Sequence, residues 1–247
     1  MKAMVFAAGL GTRLRPLTND RPKALVEVGG KTMLERVITH LADCGVTDIT
    51  VNIHHFGEKI IEFLEEKKNF GLDIHISDER DLLLDTGGGL MKARKFLDGD
   101  EPFIVHNADI LTDLDLKAMY DFHVEHDALS TILVKDRQTQ RYFLFDHDHR
   151  LKGWINKKTG ETKPEGYQYD PQKVDSLAFG CVHVLSPRIL DALEKYSEAK
   201  GKVFSIAPFY AEMCDLYKIY GYQQFSDYKW LDVGKPETLA QAEEMFK

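Results

Sequence analysis

From Lys2 to His126 the sequence alternates at short intervals between β-branched apolar runs and segments with helical spacing, and that alternation leaves few folds open. Lys2–Ala8, Asp48–Ile53, Leu72–Ile76 and Pro102–His106 read as strands. Thr32–Cys44, Glu58–Lys68, Gly88–Leu97 and Leu114–His126 read as helices, the second closing near Gly71. Thr32 with Glu35 has the spacing of a capping box, in which a hydroxyl satisfies a free amide of the first helical turn. Strand–helix–strand units of this length connect right-handedly into a mostly parallel sheet covered by helices. The pattern changes after residue 128. Leu129–Val134, Tyr142–Phe145, Leu151–Trp154 and Leu177–Val184 read as strands with short connections, which predicts antiparallel additions. Residues 153–175 are polar and turn-rich, predicting a loop or hairpin over a site. Helices return at Pro187–Tyr196, Ser205–Met213 and Pro236–Phe246. The expected class is α/β, with a Rossmann-like, mixed but mostly parallel sheet flanked by helices.

Charge and cysteine usage narrow the partners. The formal net charge is -8 and no Lys/Arg-rich run is present, so a nucleic-acid partner is not expected. No apolar stretch approaches the roughly 20 residues of a membrane span. Cys44, Cys181 and Cys214 are odd in number and far apart, which speaks against a disulfide framework and against a thiolate zinc site. The apolar run Ala3–Ala8 is too short for the core of a signal peptide and is followed by Arg13 and Arg15. A cytoplasmic chain is the expectation.

The segment Ala7-Ala8-Gly9-Leu10-Gly11-Thr12-Arg13-Leu14-Arg15-Pro16-Leu17-Thr18 directly follows the first strand, at the carboxyl edge where open α/β sheets bind ligands. Glycines let a backbone turn sharply and bring its N–H groups close to an anion. Arg13 adds a permanent planar cation suited to phosphate oxygens, and Lys23 follows ten residues later. A dinucleotide fingerprint fails because its third glycine position is Leu14. A Walker loop ending in Gly30-Lys31-Thr32 fails because its first glycine would fall at Leu25.

A second glycine-rich turn, Asp85-Thr86-Gly87-Gly88-Gly89-Leu90, opens a helix, and three adjacent glycines carry an entropic cost that a close approach would explain. His106-Asn107-Ala108-Asp109 ends an apolar strand with an abrupt change of polarity, and Trp230-Leu231-Asp232-Val233-Gly234 repeats that arrangement near the C-terminus. Carboxylates so placed suit magnesium, which prefers oxygen ligands and keeps several waters.

Ala8 to Leu14, Pro16-Leu17-Thr18 and Arg21-Pro22-Lys23 together resemble the signature of the sugar-nucleotide pyrophosphorylase family, and the likeness runs over nearly the whole chain. The Thr-Gly-Gly-Gly turn resembles the branch holding N-acetylmuramic acid 1-phosphate uridylyltransferases and heptose 1-phosphate guanylyltransferases. The resemblance implies a glycosyltransferase-A-like nucleotidyltransferase fold in one domain over 1–247. Residues 1–127 would bind the nucleotide, 128–235 the sugar, and 236–247 form the last helix. It places Ala8, Gly9, Gly11, Thr12, Thr86, Gly87, Gly88 and Asn107 around the nucleotide, Arg13 on the triphosphate and Lys23 near the reacting α-phosphate. It gives Asp109 and Asp232 to Mg2+, and Phe179 and Gly180 to the sugar.

The implied reaction joins an NTP and a sugar 1-phosphate and releases pyrophosphate. Phe143 stands where relatives carry a glycine against the sugar, so crowding there is expected, and Lys157 and Lys158 are further candidates for the sugar phosphate. His54, His55, His147 and His149 lack a zinc-binding context and read as structural or surface groups. The preferred pair is UTP with N-acetylmuramic acid 1-phosphate. Alternatives are guanylyl transfer to heptose or mannose 1-phosphate, cytidylyl transfer to phosphocholine or a polyol phosphate, and non-catalytic sensing of sugar nucleotides. With the chain ending right after its last helix, no β-helical acyltransferase arm is expected. The sequence sets no oligomeric state.

Overall fold

The computed structural model describes residues 1–246. In chain order the elements are β1 (Lys2–Phe6), β2 (Glu27–Val28), β3 (Lys31–Thr32), α1 (Met33–Asp43), β4 (Asp48–Ile53), α2 (Gly57–Glu66) and β5 (Asp73–Asp78). They continue with α3 (Asp85–Leu97), β6 (Phe103–Asn107), β7 (Ile110–Thr112), α4 (Leu116–Glu125), β8 (Ser130–Lys135), β9 (Arg141–Phe145) and β10 (Leu151–Asn156). The last are β11 (Thr162–Lys163), β12 (Asp175–Leu185), α5 (Ile189–Lys200), α6 (Ile206–Met213), β13 (Ile219–Tyr222), β14 (Trp230–Asp232) and α7 (Pro236–Met245).

Ten strands form one sheet, with the path β11-β10-β9-β12-β6-β1-β4-β5 and with β8 and β13 stacked outward from β12. The first-half strands β6, β1, β4 and β5 are parallel. The second-half strands add antiparallel pairs, β12 against β6, β8 and β9, and β9 against β10. The expected mixed, mostly parallel-cored sheet is therefore present.

Central β1 is apolar on both faces, as a strand covered on both sides must be. Ala3 and Val5 join the core under α1, α2, α4 and α7, whereas Met4 joins the core under α3, α5 and α6. Helix α1 buries Met33, Leu34, Val37, Ile38 and Leu41, a stripe at helical spacing. Its N-terminus is capped as anticipated, the Thr32 hydroxyl accepting from Glu35 N at 3.0 Å. Fully burying a side chain such as Leu41 contributes roughly 1.5–3 kcal/mol.

Two details depart from the sequence expectations, the start of α3 and a pair of separate ribbons, while residues 153–175 form the expected hairpin. Helix α3 starts at Asp85, three residues before Gly88. Residues 153–175 hold the β10–β11 hairpin, with Trp154 opposite Lys163, followed by a turn into β12. Two small ribbons stand apart from the main sheet, β2 with β3 and β7 with β14. The second of these draws the C-terminal segment over the carboxyl edge of the sheet, pairing Asp232 with Ile110.

Candidate active site

The carboxyl ends of β1, β4, β5 and β6 open onto a cleft of about 340 Å³, walled by Ala7, Ala8, Gly9, Lys23, Asn52, Glu79, Leu83, Asp85, Thr86, Asn107, Asp109 and Val203. The glycine loop leaves β1 and crosses the top of this cleft. Space for a side chain on Gly9 is open, so a ligand can approach the backbone there. Gly11 has φ +63 and its missing Cβ would lie 2.9 Å from Lys23 Cβ and 3.0 Å from Thr18 Cγ2. It therefore supplies both the left-handed turn and the close packing that brings Lys23 under the loop. Thr18 Oγ1 donates to Gly11 O at 2.8 Å and locks the same turn.

Thr12 and Arg13 lie on the short helical turn that follows. Arg13 extends over Gly234: a Cβ built there would sit 3.1 Å from Arg13 Nη2 and 2.8 Å from Asp232 Oδ1. Glycine at 234 thus lets a guanidinium and a carboxylate from opposite ends of the chain approach each other.

Lys23 is largely buried and its ammonium pairs with Asp109. Asp109 is joined to the C-terminal ribbon by Val233 N, which donates to Asp109 O at 2.9 Å. Asp232 stands beside it, with Oδ1 buried and without a hydrogen-bond partner among the described residues. Burial raises the Asp232 pKa, the charge of Asp109 raises it further, and Lys23, Arg13 and Arg137 oppose both. Two carboxylates, one with an orphaned buried oxygen, form an oxygen-only donor set of the kind a hard divalent cation takes. The residues present therefore fit the expected magnesium.

A different cluster of potential ligands, Asp48, Asp73 and His75, lies at the amino ends of β4 and β5, the opposite edge of the sheet from the cleft.

The second glycine segment lies within the first turns of α3 rather than before the helix, and its glycines have a packing reason. Asp85 and Thr86 wall the cleft, whereas Gly87 and Gly88 pack on the connection between α5 and α6. A Cβ on Gly87 would meet the Phe204 ring at 2.3 Å, and one on Gly88 would meet Lys202 O at 2.2 Å. Both amides donate to Phe204 O, at 2.9 and 3.2 Å. The Thr86 hydroxyl accepts from Ile206 N at 3.0 Å and so caps α6 from outside that helix.

On the sugar side, Phe179 is half-buried, and Gly180 is explained by its neighbour strand: its missing Cβ would lie 2.7 Å from Leu133. Phe143 does not crowd a ligand. It is buried in the hydrophobic core and packs edge-on against Phe145, Phe179 and Tyr210. Lys157 places its ammonium 4.4 Å above the Tyr142 ring. His54 bonds Glu79 O through Nδ1 at 2.7 Å, in keeping with a structural role.

The sequence reading missed the floor of the cleft. Asn52 Oδ1 accepts from Ala7 N at 2.7 Å, and Asn52 Nδ2 donates to Glu79 Oε1 at 2.7 Å. Glu79 Oε2 accepts from Leu84 N at 3.0 Å. This buried chain of bonds ties the first glycine loop to the second. Burial raises the Glu79 pKa and the bonds from Asn52 and Leu84 counter it. The available signal was a lone amide inside the apolar run Asp48–Ile53, a position that requires a partner.

The family described as Nucleotidyl transferase matches residues 2–247, and the chain belongs to it. Among curated relatives, a mannose-1-phosphate guanyltransferase of Candida albicans is 32% identical over 244 residues, covering 97% of this chain and 62% of the relative. The chain thus spans about 62% of the length of that relative. An N-acetylmuramate alpha-1-phosphate uridylyltransferase of Caulobacter vibrioides is 49% identical over 109 residues, 43% of this chain and 45% of the relative. Among solved structures, HddC from Yersinia pseudotuberculosis complexed with GMP-PN superposes with a TM-score of 0.75 at 24% identity, over 100% of this chain and 99% of that one. A UDP-glucose pyrophosphorylase complexed with UDP-glucose gives 0.76 at 18%, over 99% and 97%. Both share the Rossmann-like fold.

Proposed function

We propose that this protein is a magnesium-dependent sugar-1-phosphate nucleotidyltransferase acting in the cytoplasm, and that it uses UTP and N-acetylmuramic acid 1-phosphate. The observation that carries this reading is the pairing of Lys23 with Asp109 in the lining of a cleft that Gly9 also lines, with Asp232 beside Asp109 and Arg13 meeting Asp232 at Gly234. The nucleotide would lie on the 1–127 part and the sugar on the 128–235 part, with Ala8, Gly9, Gly11, Thr12, Thr86 and Asn107 around the nucleotide. Gly87 and Gly88 would act by fixing the shape of that turn, and Phe179 with Gly180 would form part of the sugar wall.

The reaction forms a bond between an acceptor phosphate oxygen and the α-phosphorus and breaks the bond to the β-phosphate oxygen, releasing pyrophosphate. The nucleophile is already anionic at neutral pH, so no proton need move. The barrier lies in bringing anions together, and the chain's cations meet it. Lys23 neutralises charge growing at the α-phosphate, while Arg13 and the loop amides orient the departing pyrophosphate. Asp109 and Asp232 would hold the magnesium, whose charge screens the phosphates when bound. The Lys23–Asp109 pair keeps both groups in position before ligands arrive.

Guanylyl transfer to mannose 1-phosphate is the second reading, favoured by matches that cover 97% of this chain, though 62–63% of the relatives, among mannose-1-phosphate guanyltransferases. The deciding assay is pyrophosphate release with magnesium across UTP, GTP, CTP, dTTP and ATP, each against N-acetylmuramic acid, mannose and heptose 1-phosphates and phosphocholine. Fastest turnover with UTP and N-acetylmuramic acid 1-phosphate supports the first reading, and with GTP and mannose 1-phosphate the second. Nucleotide binding without turnover of any pair refutes both and supports a sensor. Asp109→Asn is expected to abolish turnover in a folded protein, and Arg13→Ala to weaken triphosphate use selectively.

A further inference from the structure

A half-buried guanidinium beside the acidic pair has no role in the reading above. Arg137 follows β8 and lies against β14: its Cζ is 5.2 Å from the centroid of the Trp230 ring. Arg137 Nη2 donates to Phe179 O at 3.2 Å, and the Trp230 indole N–H donates to the adjacent Gly180 O at 3.0 Å. Ring and carbonyl together fix the plane of the guanidinium, a geometry lysine cannot reproduce. Arg137 Nε is buried and has no hydrogen-bond partner among the described residues.

Lys135 accompanies it, with its ammonium 4.0 Å above Tyr228 and 5.5 Å from Trp230. Burial and the charge of Arg137 both lower the Lys135 pKa. Among the described residues, neither cation has a carboxylate at ion-pair distance. Two partly desolvated cations side by side are unfavourable unless an anion joins them.

Position indicates which anion. Arg137 acts electrostatically on Asp232 and on Cys181, and the other charges acting on Cys181 are Asp109, Asp232 and Lys23. The guanidinium therefore stands beside the acidic pair, outside the lining of the cleft itself, packed on Trp230, two residues before Asp232 on β14, and bonded to Phe179 O. Arg13 serves the triphosphate from the glycine loop across Gly234. With the triphosphate given to Arg13, the anion left for the Arg137 side is the acceptor.

We propose that Arg137 binds the phosphate of the acceptor sugar 1-phosphate, holding it beside Asp232 with Lys135 as a second positive charge. This rests on the sugar-1-phosphate reading above. A planar fork on a fixed platform orients the phosphate as well as attracting it, which is the task of an acceptor site in a direct displacement.

The test is calorimetric titration of the full chain, with magnesium present, using three probes: mannose 1-phosphate, N-acetylmuramic acid 1-phosphate, and N-acetylmuramic acid without its phosphate. Wild type is compared with Arg137→Gln, which keeps a donor for Phe179 O, and with Arg137→Lys, which keeps the charge. The expected result is affinity for both 1-phosphates about tenfold or more weaker in Arg137→Gln, partial recovery in Arg137→Lys, and no change for the unphosphorylated sugar. A nucleotide titration that is unaltered by the substitution shows that the fold and the triphosphate site are intact.

Unchanged affinity for the 1-phosphates in either variant overturns the assignment, as does a loss confined to probes carrying the sugar's carboxylate. A wild type that binds neither 1-phosphate overturns it too. Arg137-dependent binding without pyrophosphate release from any triphosphate sinks the enzymatic reading and leaves the site standing.

Discussion

Asp232→Asn should stabilise the metal-free protein while removing its activity. The substitution keeps the side chain's shape and removes a charge from a place that tolerates it poorly. Asp232 Oδ1 is buried without a partner, and burial and the neighbouring Asp109 both disfavour ionisation. Lys23, Arg13 and Arg137 recover part of that cost, and Asp232 is only partly buried. The net penalty relieved is therefore on the order of 1 kcal/mol rather than the several kcal/mol of an isolated buried ion. For a chain of this size, about 1 kcal/mol raises the thermal midpoint by roughly 2–4 °C. Thermal unfolding at pH 7 in EDTA measures it. Adding magnesium should reverse the ranking, because a cation bound to the native state stabilises wild type by mass action and the variant far less. A variant no more stable than wild type in EDTA, or one stabilised equally by magnesium, would show that Asp232 is an ordinary solvated carboxylate.

Other substitutions test the packing behind the cleft. Gly88→Ala directs a methyl group at the Lys202 carbonyl and should cost about 2 kcal/mol or more, read as a lowered urea midpoint, with nucleotide affinity falling as the turn shifts. Asn52→Leu leaves Ala7 N unpaired and Glu79 with one bond fewer, so a loss of about 2–4 kcal/mol is expected from denaturant titration. Acid should also weaken the fold. Burial lowers His106 and His123 to about 4 and His183 to about 3, against 6.5 for an exposed ring. Groups with depressed pKa bind protons more readily when unfolded, so stability is complete above pH 6.5 and falls as pH drops toward 4. Unfolding free energies from urea titrations at pH 7.5 and 5 should differ by at least ~1 kcal/mol, and equal values would mean that these rings do not stay neutral.

The parts of the fold legible in sequence were those written locally. Strand–helix alternation reported the parallel half of the sheet, and Thr32 with Glu35 reported a cap that the structure forms. The glycine loop was legible because turn, cation and strand end are contiguous. What escaped depends on contacts between distant segments. The three glycines at 87–89 suggested room for a ligand, yet for two of them the missing side chain is displaced by residues 202–204. Phe143 suggested a crowded sugar site because the sequence does not say which face of β9 turns inward. Arg137 was indistinguishable from any loop arginine until Trp230 and Phe179 were seen beside it.

The β7–β14 ribbon has a consequence for how the molecule comes into being. Asp109 and Asp232 come from segments half a chain apart, joined by three residue pairs, by the Val233–Asp109 bond at one end and by bonds of Lys229 with Thr112 and Asp113 at the other. Closing so large a loop for so small a ribbon is favourable only once the sheet beneath it exists. Loop-closure entropy thus makes the meeting of the two carboxylates depend on the rest of the sheet, and a chain that ends after β13 carries Asn52, Glu79 and the glycine loop but only one member of the acidic pair.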